Sequence, residues 1–454
     1  MVPIVLHHAI CLPQIPLELS THLKKELTLP NPVFMDNEKQ GRWNKGVPKN
    51  LEFYIENDQG FEIPRGFMRQ LITTLKRFGH EFELLDQRRL LPEVDFHFSG
   101  TLKPYQEKAC TDILKKHFAV LTAPTGSGKT VMMLNIIARR RQPTLILVHT
   151  KELAAQWVDR IEKFLGVPEQ EQGFIGGGRF SLGTRITVAM VQTLYKHKDD
   201  VASHIGNLVV DECHRAPSRT FHEAVSAFDS YYMTGLSATP FRRDRLSKLI
   251  FWYLGDRVHD VDKKDLVDQG DILQAEVVFR PTSFLSMTDP THYYSQLMSE
   301  LIEDPERNKL IADDIAMESA NNKGVCLVLS DRKYHCRIIR DILKNDHGLD
   351  ADMLTGDLKE QERRDVLDRL NDNNISILIA TSQLLGEGFD SDKLTNLFLI
   401  YPIRFKGRLL QYLGRILRPG KGKKAKVFDY VDVHIGVLEA AARARHSAYT
   451  SNAS

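Results

Sequence analysis

The sequence predicts an α/β chain of two successive parallel-sheet domains behind a small α+β extension, and three observations carry that expectation. At 454 residues the chain exceeds the roughly 250–300 residues that one hydrophobic core ordinarily organises. Short runs rich in Val, Ile and Leu, each ended by a turn, alternate with stretches of helical periodicity, which is the pattern of strands joined by crossover helices. The alternation occurs twice, from about Thr101 to Ala238 and again from about Asp304.

In the first series LKPYQEKACTDILKKH reads as a helix, FAVLTA as a strand, and a Gly-bearing loop leads into the helix VMMLNIIARR. TLILVH, RITVAMV and NLVVDE read as further strands, with the helix ELAAQWVDRIEKFL after the first of them. In the second series DPERNKLIADDIAMESA opens with Asp304 as a cap and Pro305 at the first helical position. GVCLVLS, ADMLTG, ISILIAT, TNLFLIY and AKVFDYVD follow as strand segments, with EQERRDVLDRLND and GRLLQYLGRIL as helices. Residues 1–97 fit neither series and, with PRGFMRQLITTLKRFG, read as the accessory extension. The expected division is 1–97, a first domain at 98–265, a linker at 266–303 and a second domain at 304–454.

Hydrophobic residues make up 42% of the chain and charged residues 26%, a globular composition without low-complexity blocks. The opening MVPIVLHHAICLPQIPLEL is apolar but is broken by Pro3, Pro13 and Pro16 and lacks a basic flank, so it does not read as a signal peptide. No run approaches the ~18 apolar residues of a membrane span. Five widely spaced cysteines, Cys11, Cys110, Cys213, Cys326 and Cys336, with no CxxC, argue against a disulfide framework or a zinc or iron–sulfur module and for a reducing compartment. Lys and Arg number 61 against 59 Asp and Glu, a net charge of +2, so bulk charge does not mark a nucleic-acid binder. Basic groups gather locally at Arg139–Arg141, Phe241–Lys248 and Arg418–Lys426; solvated surface accounts for each as well as a binding patch does.

The strongest local signal is APTGSGKT, comprising Ala123, Pro124, Thr125, Gly126, Ser127, Gly128, Lys129 and Thr130, between the strand FAVLT and the helix VMMLNIIA. This is the setting of a phosphate-binding loop. Glycines let backbone N–H groups wrap phosphate oxygens, Lys129 reaches the β and γ phosphates of a nucleotide, and Thr130 offers a hydroxyl to magnesium. Ala123 stands where the usual pattern has its first Gly.

A nucleotide hydrolase of this kind needs a second acidic strand end, and LVVDECHRAP supplies it. Asp211 falls at the carboxyl edge of a buried strand, where open α/β sheets bind ligands, and is the expected magnesium carboxylate. Glu212 is the expected base for the attacking water. Cys213 reads as a small apolar core residue. In QYLGRILR, Gln411, Arg415 and Arg418 recur at spacings of four and three and share a helical face, as suits stabilising charge on a transferring phosphoryl group. In GEGFD, Gly386 and Gly388 allow close backbone approach, and Asp390 can accept from a ribose hydroxyl or an Arg.

Taken in this order, the motifs resemble those of superfamily 2 helicases of the DEAD/DEAH-box kind, and the chain is similar to the XPB-like group of DNA helicases and translocases over roughly residues 100–435. The resemblance implies two tandem RecA-like domains that hydrolyse ATP with Mg2+ between them. It makes LKPYQ the adenine-side segment, with Gln106 reading the base. It makes HTKELAAQW, with Thr150 and Lys151, and VAMVQTL, with Gln192 and Thr193, nucleic-acid motifs of the first domain. LTGD, with Thr355 and Gly356, and ATSQLLGEGFD, with Thr381, become those of the second. SATP, through Ser237 and Thr239, would bond toward His214 and couple the phosphate state to the second domain. Two departures stand out: Cys213 replaces the usual Ala, and the arginine motif begins Gln411-Tyr412 where many relatives have Gln-Arg or His-Arg.

The resemblance thus implies an ATP-hydrolysing helicase, on DNA rather than RNA and with 3′ to 5′ polarity. It places the chain in the cytoplasm of a bacterium or of a virus-infected host cell, with no membrane partner. A second reading is a duplex DNA translocase of a restriction, repair or defence assembly, with any cutting left to a nuclease or repair partner protein. A third is a nucleotide-gated binding switch. GRW and PRGF segments similar to those of residues 41–43 and 64–67 precede the motor in some XPB-like bacterial and viral proteins. Arg42, Trp43, Lys45, Lys49, Tyr54 and Arg65 there mix basic and aromatic groups, as contact with phosphates and bases requires; a packing domain with incidental surface charge is the alternative.

Overall fold

The computed structural model describes residues 1–450 except 216–217, 239–245, 262–265, 267–272, 274, 322–323, 373, 382–392, 403–408, 410–411 and 414–424. The chain divides into two compact units, Met1–Ala123 with Gly128–Val261, and Pro124–Ser127 with Asp262–Ser454.

In the extension, buried and half-buried residues alternate along β1 (Val2–Leu6), the mark of a strand with one face in a core. β2 (Ala9–Leu12), β5 (Ile55–Asn57), β6 (Gly60–Pro64) and β7 (Phe82–Asp86) complete a sheet ordered β5-β6-β2-β1-β7, antiparallel except for the β1–β7 pair. β3 (Thr28–Pro30) and β4 (Asn50–Glu52) form a separate antiparallel ladder. Leu19 and Leu23 of α1 (Leu17–Glu26) and Leu71 and Leu75 of α3 (Met68–Arg77) pack with Ile4, Ile10 and Phe61 of the sheet. α2 (Pro32–Lys39) buries no residue.

The first motor domain follows as α4 (Pro104–Leu114), β8 (Phe118–Thr122), α5 (Lys129–Arg140), β9 (Thr144–Val148), α6 (Lys151–Leu165), β10 (Gly173–Gly176), β11 (Arg179–Ser181), β12 (Ile186–Met190), α7 (Val191–Ala202), β13 (Asn207–Val210), α8 (Ser218–Ser226), β14 (Tyr232–Ser237), α9 (Lys248–Leu254) and β15 (Arg257–Asp260). Its sheet runs β11-β10-β12-β9-β13-β14-β8-β15, and only the β10–β11 pair is antiparallel. β9 and β13 are buried at every residue, as strands covered on both faces must be. Thr150 caps α6 by accepting from Leu153 N–H at 3.3 Å, and Gly166 ends it in the left-handed conformation.

Extension and motor share a core, because Leu249 and Trp252 of α9 lie in the same cluster as Leu71 and Leu75. A Cβ on Gly66 would sit 2.5–2.7 Å from backbone atoms of Gly255, Phe251 and Trp252, so only glycine permits the approach. Next to it Arg65, fully buried, donates to Ser230 O at 3.0 Å and lies 5.0 Å from the Phe118 ring centroid. Arg65 therefore docks the extension on the motor and is removed from the residues expected to meet nucleic acid. Tyr54 stacks on Phe61 with ring centroids 5.3 Å apart. The cluster Arg139–Arg141 is likewise consumed internally: Arg139 pairs with Glu107, buried Arg140 donates to Asn207, Thr234 and Lys116 O, and Arg141 pairs with Glu93 and Asp95.

The second unit contains β16 (Ala275–Pro281), α10 (Tyr294–Glu303), α11 (Pro305–Asn321), β17 (Val325–Ser330), α12 (Lys333–His347), β18 (Asp352–Leu354), α13 (Glu360–Asn371), β19 (Ile377–Thr381), β20 (Leu394–Leu399), β21 (Ala425–Val431) and α14 (Gly436–Thr450). Its sheet, β16-β21-β20-β17-β19-β18, is parallel throughout. β16 and α10 fall within residues 266–303, the span expected as a linker. A buried Arg307–Asp432 pair at 2.7 Å, with Arg307 also donating to Ile400 O at 2.9 Å, holds the start of α11 to the ends of β20 and β21. No helix among the described residues is long and apolar enough to cross a membrane.

Candidate active site

Parallel pairing delivers the expected residues of the first domain to one sheet edge. Thr122 lies opposite Ser237, and Val210 lies opposite both Leu147 and Gly235. The carboxyl ends of five strands therefore carry, in turn, the loop 123–130 after β8, Thr150 and Lys151 after β9, Gln192 and Thr193 after β12, Asp211 and Glu212 after β13, and Ser237 at the end of β14.

The loop is bent where Gly126 and Gly128 take φ of 90° and 82°, a region that strains residues with a Cβ. A Cβ on Gly128 would lie 2.5 Å from Gln106 Nε2. The glycine that turns the chain thus also lets Gln106 close against it, while Lys103 N–H holds Gln106 by donating to its Oε1 at 2.9 Å. Lys129, the first residue of α5, donates from Nζ to Ala123 O at 2.9 Å, and Ala123 N–H donates to Ser237 O at 3.0 Å. Thr130 follows in the first turn of α5, whose amino end carries the positive pole of the helix.

Asp211 is buried, and each carboxylate oxygen has a donor: Trp157 Nε1–H reaches Oδ2 at 2.8 Å, and Glu212 N–H reaches Oδ1 at 2.8 Å. Burial, and then the charge of Glu212, push this carboxyl up to about 6, against the indole hydrogen bond and the Lys129 charge that draw it down. Glu212 takes φ of 46°, sparsely populated for a residue with a side chain. That turn separates the adjacent carboxylates, since Asp211 is held by Trp157 while Glu212 Oε2 lies 3.2 Å from His214 Nδ1. The same nitrogen is 3.0 Å from Ser237 Oγ, the juxtaposition expected of the coupling pair. Cys213 is fully buried in one cluster with Val120, Leu208 and Met233, and burial raises its thiol well above the usual range.

These groups fit a nucleoside triphosphate with magnesium. The glycine-bent loop leaves room for backbone N–H groups to face phosphates. The Asp211 carboxylate, with one donor on each oxygen, retains lone pairs for a cation that ordinarily takes one or two carboxylates plus phosphate oxygens. Trp157 is the residue that sequence reasoning missed. It lies within HTKELAAQW, and the requirement that a buried indole N–H find an acceptor was the available signal.

In the second unit Thr355 and Gly356 follow β18 and Thr381 ends β19, at the carboxyl edge of that sheet, where Thr381 lies opposite Ser330. The neighbouring Asp357 pairs with Lys333 at 2.6 Å and Arg337 at 3.4 Å. Thr239, Gly386, Gly388, Asp390, Gln411, Arg415 and Arg418 lie outside the described residues, as do most of the basic stretches Phe241–Lys248 and Arg418–Lys426.

A phosphate loop and an acidic strand end on one parallel sheet, followed along the chain by a second parallel-sheet unit, define a P-loop ATPase of the tandem RecA-like type. Residues 99–242 match the family model described as Type III restriction enzyme, res subunit, and residues 307–420 match that of the helicase conserved C-terminal domain. The chain is 26% identical over 428 residues to a protein of Acanthamoeba polyphaga mimivirus provisionally named an ATP-dependent RNA helicase, covering 89% of this chain and 76% of that one. It is 26% identical over 371 residues to the DNA 3′-5′ translocase XPB2 of Sulfurisphaera tokodaii, covering 73% and 81% respectively. Among solved structures, S. cerevisiae Dbp5 bound to RNA and ADP BeF3 shares the fold, with a TM-score of 0.56 at 15% identity over 76% of this chain and 87% of that one. The chain belongs to the superfamily 2 helicases, in the XPB-like group, and is an ATP-hydrolysing enzyme of that family.

Proposed function

We propose that the protein couples ATP hydrolysis at the carboxyl edge of the first sheet to 3′ to 5′ movement along DNA and separation of its strands. The observation that carries the reading is the convergence at that edge of the bent loop 123–130, the divided Asp211–Glu212 pair and the His214–Ser237 contact. In this reading Gln106 reads adenine, and Lys129 binds the phosphates with the loop Ala123–Thr130, through backbone N–H groups other than that of Ala123, which is bonded to Ser237 O. Thr130 and Asp211 hold Mg2+, which when bound neutralises charge on the β and γ phosphates. Glu212 accepts a proton from the attacking water. His214, through Ser237, reports the phosphate state to the rest of the motor. Thr150, Lys151, Gln192, Thr193, Thr355, Gly356 and Thr381 contact the nucleic-acid backbone, so binding is expected to be salt-sensitive and weakly sequence-selective. Gly388, Asp390, Gln411, Arg415, Arg418 and Thr239 keep the assignments their motifs suggest.

The DNA 3′-5′ name of the Sulfurisphaera tokodaii relative supports DNA and its polarity, while the name of the mimivirus relative makes RNA the substrate to test against it. The match of residues 99–242 to a restriction-enzyme subunit family favours, as a second reading, movement on duplex without unwinding. The test is ATP hydrolysis with no nucleic acid, single-stranded DNA, duplex DNA or RNA, beside strand displacement on forks with 3′ or 5′ tails. Stimulation by duplex without displacement would select the second reading, and hydrolysis that no nucleic acid stimulates would sink both. Glu212→Gln is expected to bind ATP while hydrolysis falls by about 10²–10⁴-fold; turnover near that of the parent enzyme removes Glu212 from the assigned role.

A further inference from the structure

The loop between α2 and β4, Gln40–Lys49, leaves its largest apolar side chain outside: Trp43 is 81% exposed. The loop is nevertheless built. Asn37 Nδ2 donates to Asn44 Oδ1 at 3.0 Å, Asn44 Nδ2 to Phe34 O at 3.2 Å, and Asn31 Nδ2 to Pro48 O at 2.8 Å. Arg42 N–H and Val47 N–H close turns on Asn37 O and Asn44 O, while Gly41 and Gly46, at φ of 64° and 75°, bracket the four residues that carry Trp43. Around it Lys39, Arg42, Lys45 and Lys49 are all exposed, no Asp or Glu interrupts residues 39–49, and none of the four cations has an ion pair among the described residues. The Lys45 ammonium lies 5.2 Å from the Trp43 ring centroid.

We infer that this loop is a stacking platform for one unpaired base of single-stranded nucleic acid, with Arg42, Lys45 and Lys49 taking the adjoining phosphates. The inference rests on the proposed action on nucleic acid and deepens it by placing a contact on the extension. An indole stacks on any base, and surrounding cations neutralise the backbone, which is how strands are bound without sequence preference. A duplex keeps its base faces covered and offers such a ring only its ends. Since Arg65 and α9 fix the extension to the first motor domain, a base held here moves with that domain.

The test uses the full chain. Trp43→Ala, Trp43→Phe and the Arg42→Ala/Lys45→Ala double variant are compared with the parent protein for anisotropy of labelled oligo-dT and of a blunt duplex across a salt series, and for ATP hydrolysis without nucleic acid. Trp43→Ala should weaken oligo-dT binding about tenfold or more, Trp43→Phe should recover most of the loss, and neither should alter duplex affinity or unstimulated hydrolysis. The double variant should reduce the log–log salt slope by about 1.4, two phosphate contacts at ~0.7 each. Oligo-dT affinity within twofold of the parent for Trp43→Ala overturns the inference, as does an equal loss on duplex. So does a variant that only shifts self-association or retention of a partner protein. If the parent chain itself neither binds nor responds to any nucleic acid, it is the helicase reading that fails.

Discussion

Replacing Trp157 with Phe isolates a single hydrogen bond. The ring is 1% exposed and a phenyl keeps most of its packing on the sheet, but the N–H that reaches Asp211 Oδ2 at 2.8 Å disappears. A hydrogen bond to a charged group contributes roughly 1.5–3 kcal/mol, and about 1.4 kcal/mol is a factor of ten. Function that depends on the orientation of this carboxylate should therefore fall about 10–100-fold, the range found when groups that orient metal ligands are removed. With Asp211 assigned to magnesium, the Mg2+ concentration for half-maximal hydrolysis rises by that factor. Binding of a fluorescent ATP analogue measured in EDTA stays within about twofold, because the loop and Lys129 are untouched. The melting temperature should drop by a few degrees at most for a chain of this size. An unchanged Mg2+ requirement in a folded variant, or an equal loss of nucleotide affinity with and without Mg2+, refutes the reasoning.

Two further outcomes follow from the same geometry. Gly128→Ala puts a Cβ 2.5 Å from Gln106 Nε2 on backbone at φ of 82°; calorimetric titration should show most ATP affinity lost in a protein that still folds, its melting temperature lowered by a few degrees, and unaltered affinity would contradict the account of the loop. His335 is fully buried between Ser330 Oγ and Asn308 Oδ1, and burial, then the charge of Arg307, hold its imidazole well below the usual range. The unfolded chain takes up a proton near pH 6.5 that the folded unit does not, so the stability tied to neutral His335 is complete above that pH. It is lost below it at up to about 1.4 kcal/mol per pH unit. His335→Gln should flatten the fall of the urea midpoint between pH 7.5 and 5, and parallel profiles for parent and variant would exclude His335 as the cause.

The parallel sheets were legible because β9, β13, β17 and β19 are continuous apolar runs buried on both faces. β16 was not, since its residues are only half-buried or exposed, as at a sheet edge, and edge burial is set by a neighbour, β21, some 150 residues later in the chain. The phosphate loop was legible for another reason: its chemistry lies in consecutive residues whose backbone geometry glycine announces. Arg65 was misread because basic and aromatic neighbours look the same in a binding patch and in a docking contact. What decides between them is the carbonyl of Ser230, 165 positions away.

The same distinction explains the centre of the site. Asp211 and Glu212 are adjacent, so the sequence places both carboxylates at a strand end and is silent on which way each turns. The division comes from two features that sequence periodicity does not encode. One is an indole N–H from α6, 54 residues earlier in the chain, that fixes Asp211; the other is a left-handed turn at Glu212 that carries the second carboxylate to His214. Both are unfavourable alone: a buried carboxylate is pushed up in pKa, and a left-handed Glu costs of order 1–3 kcal/mol. The first is offset by the indole N–H that only the assembled sheet edge supplies. Local rules therefore fail here in the way expected where backbone and charge are committed to a ligand. A variant that relieves the turn, Glu212→Gly, should gain stability while losing hydrolysis. If stability instead falls, the Glu212–His214 contact outweighs the strain, and the turn is a product of packing.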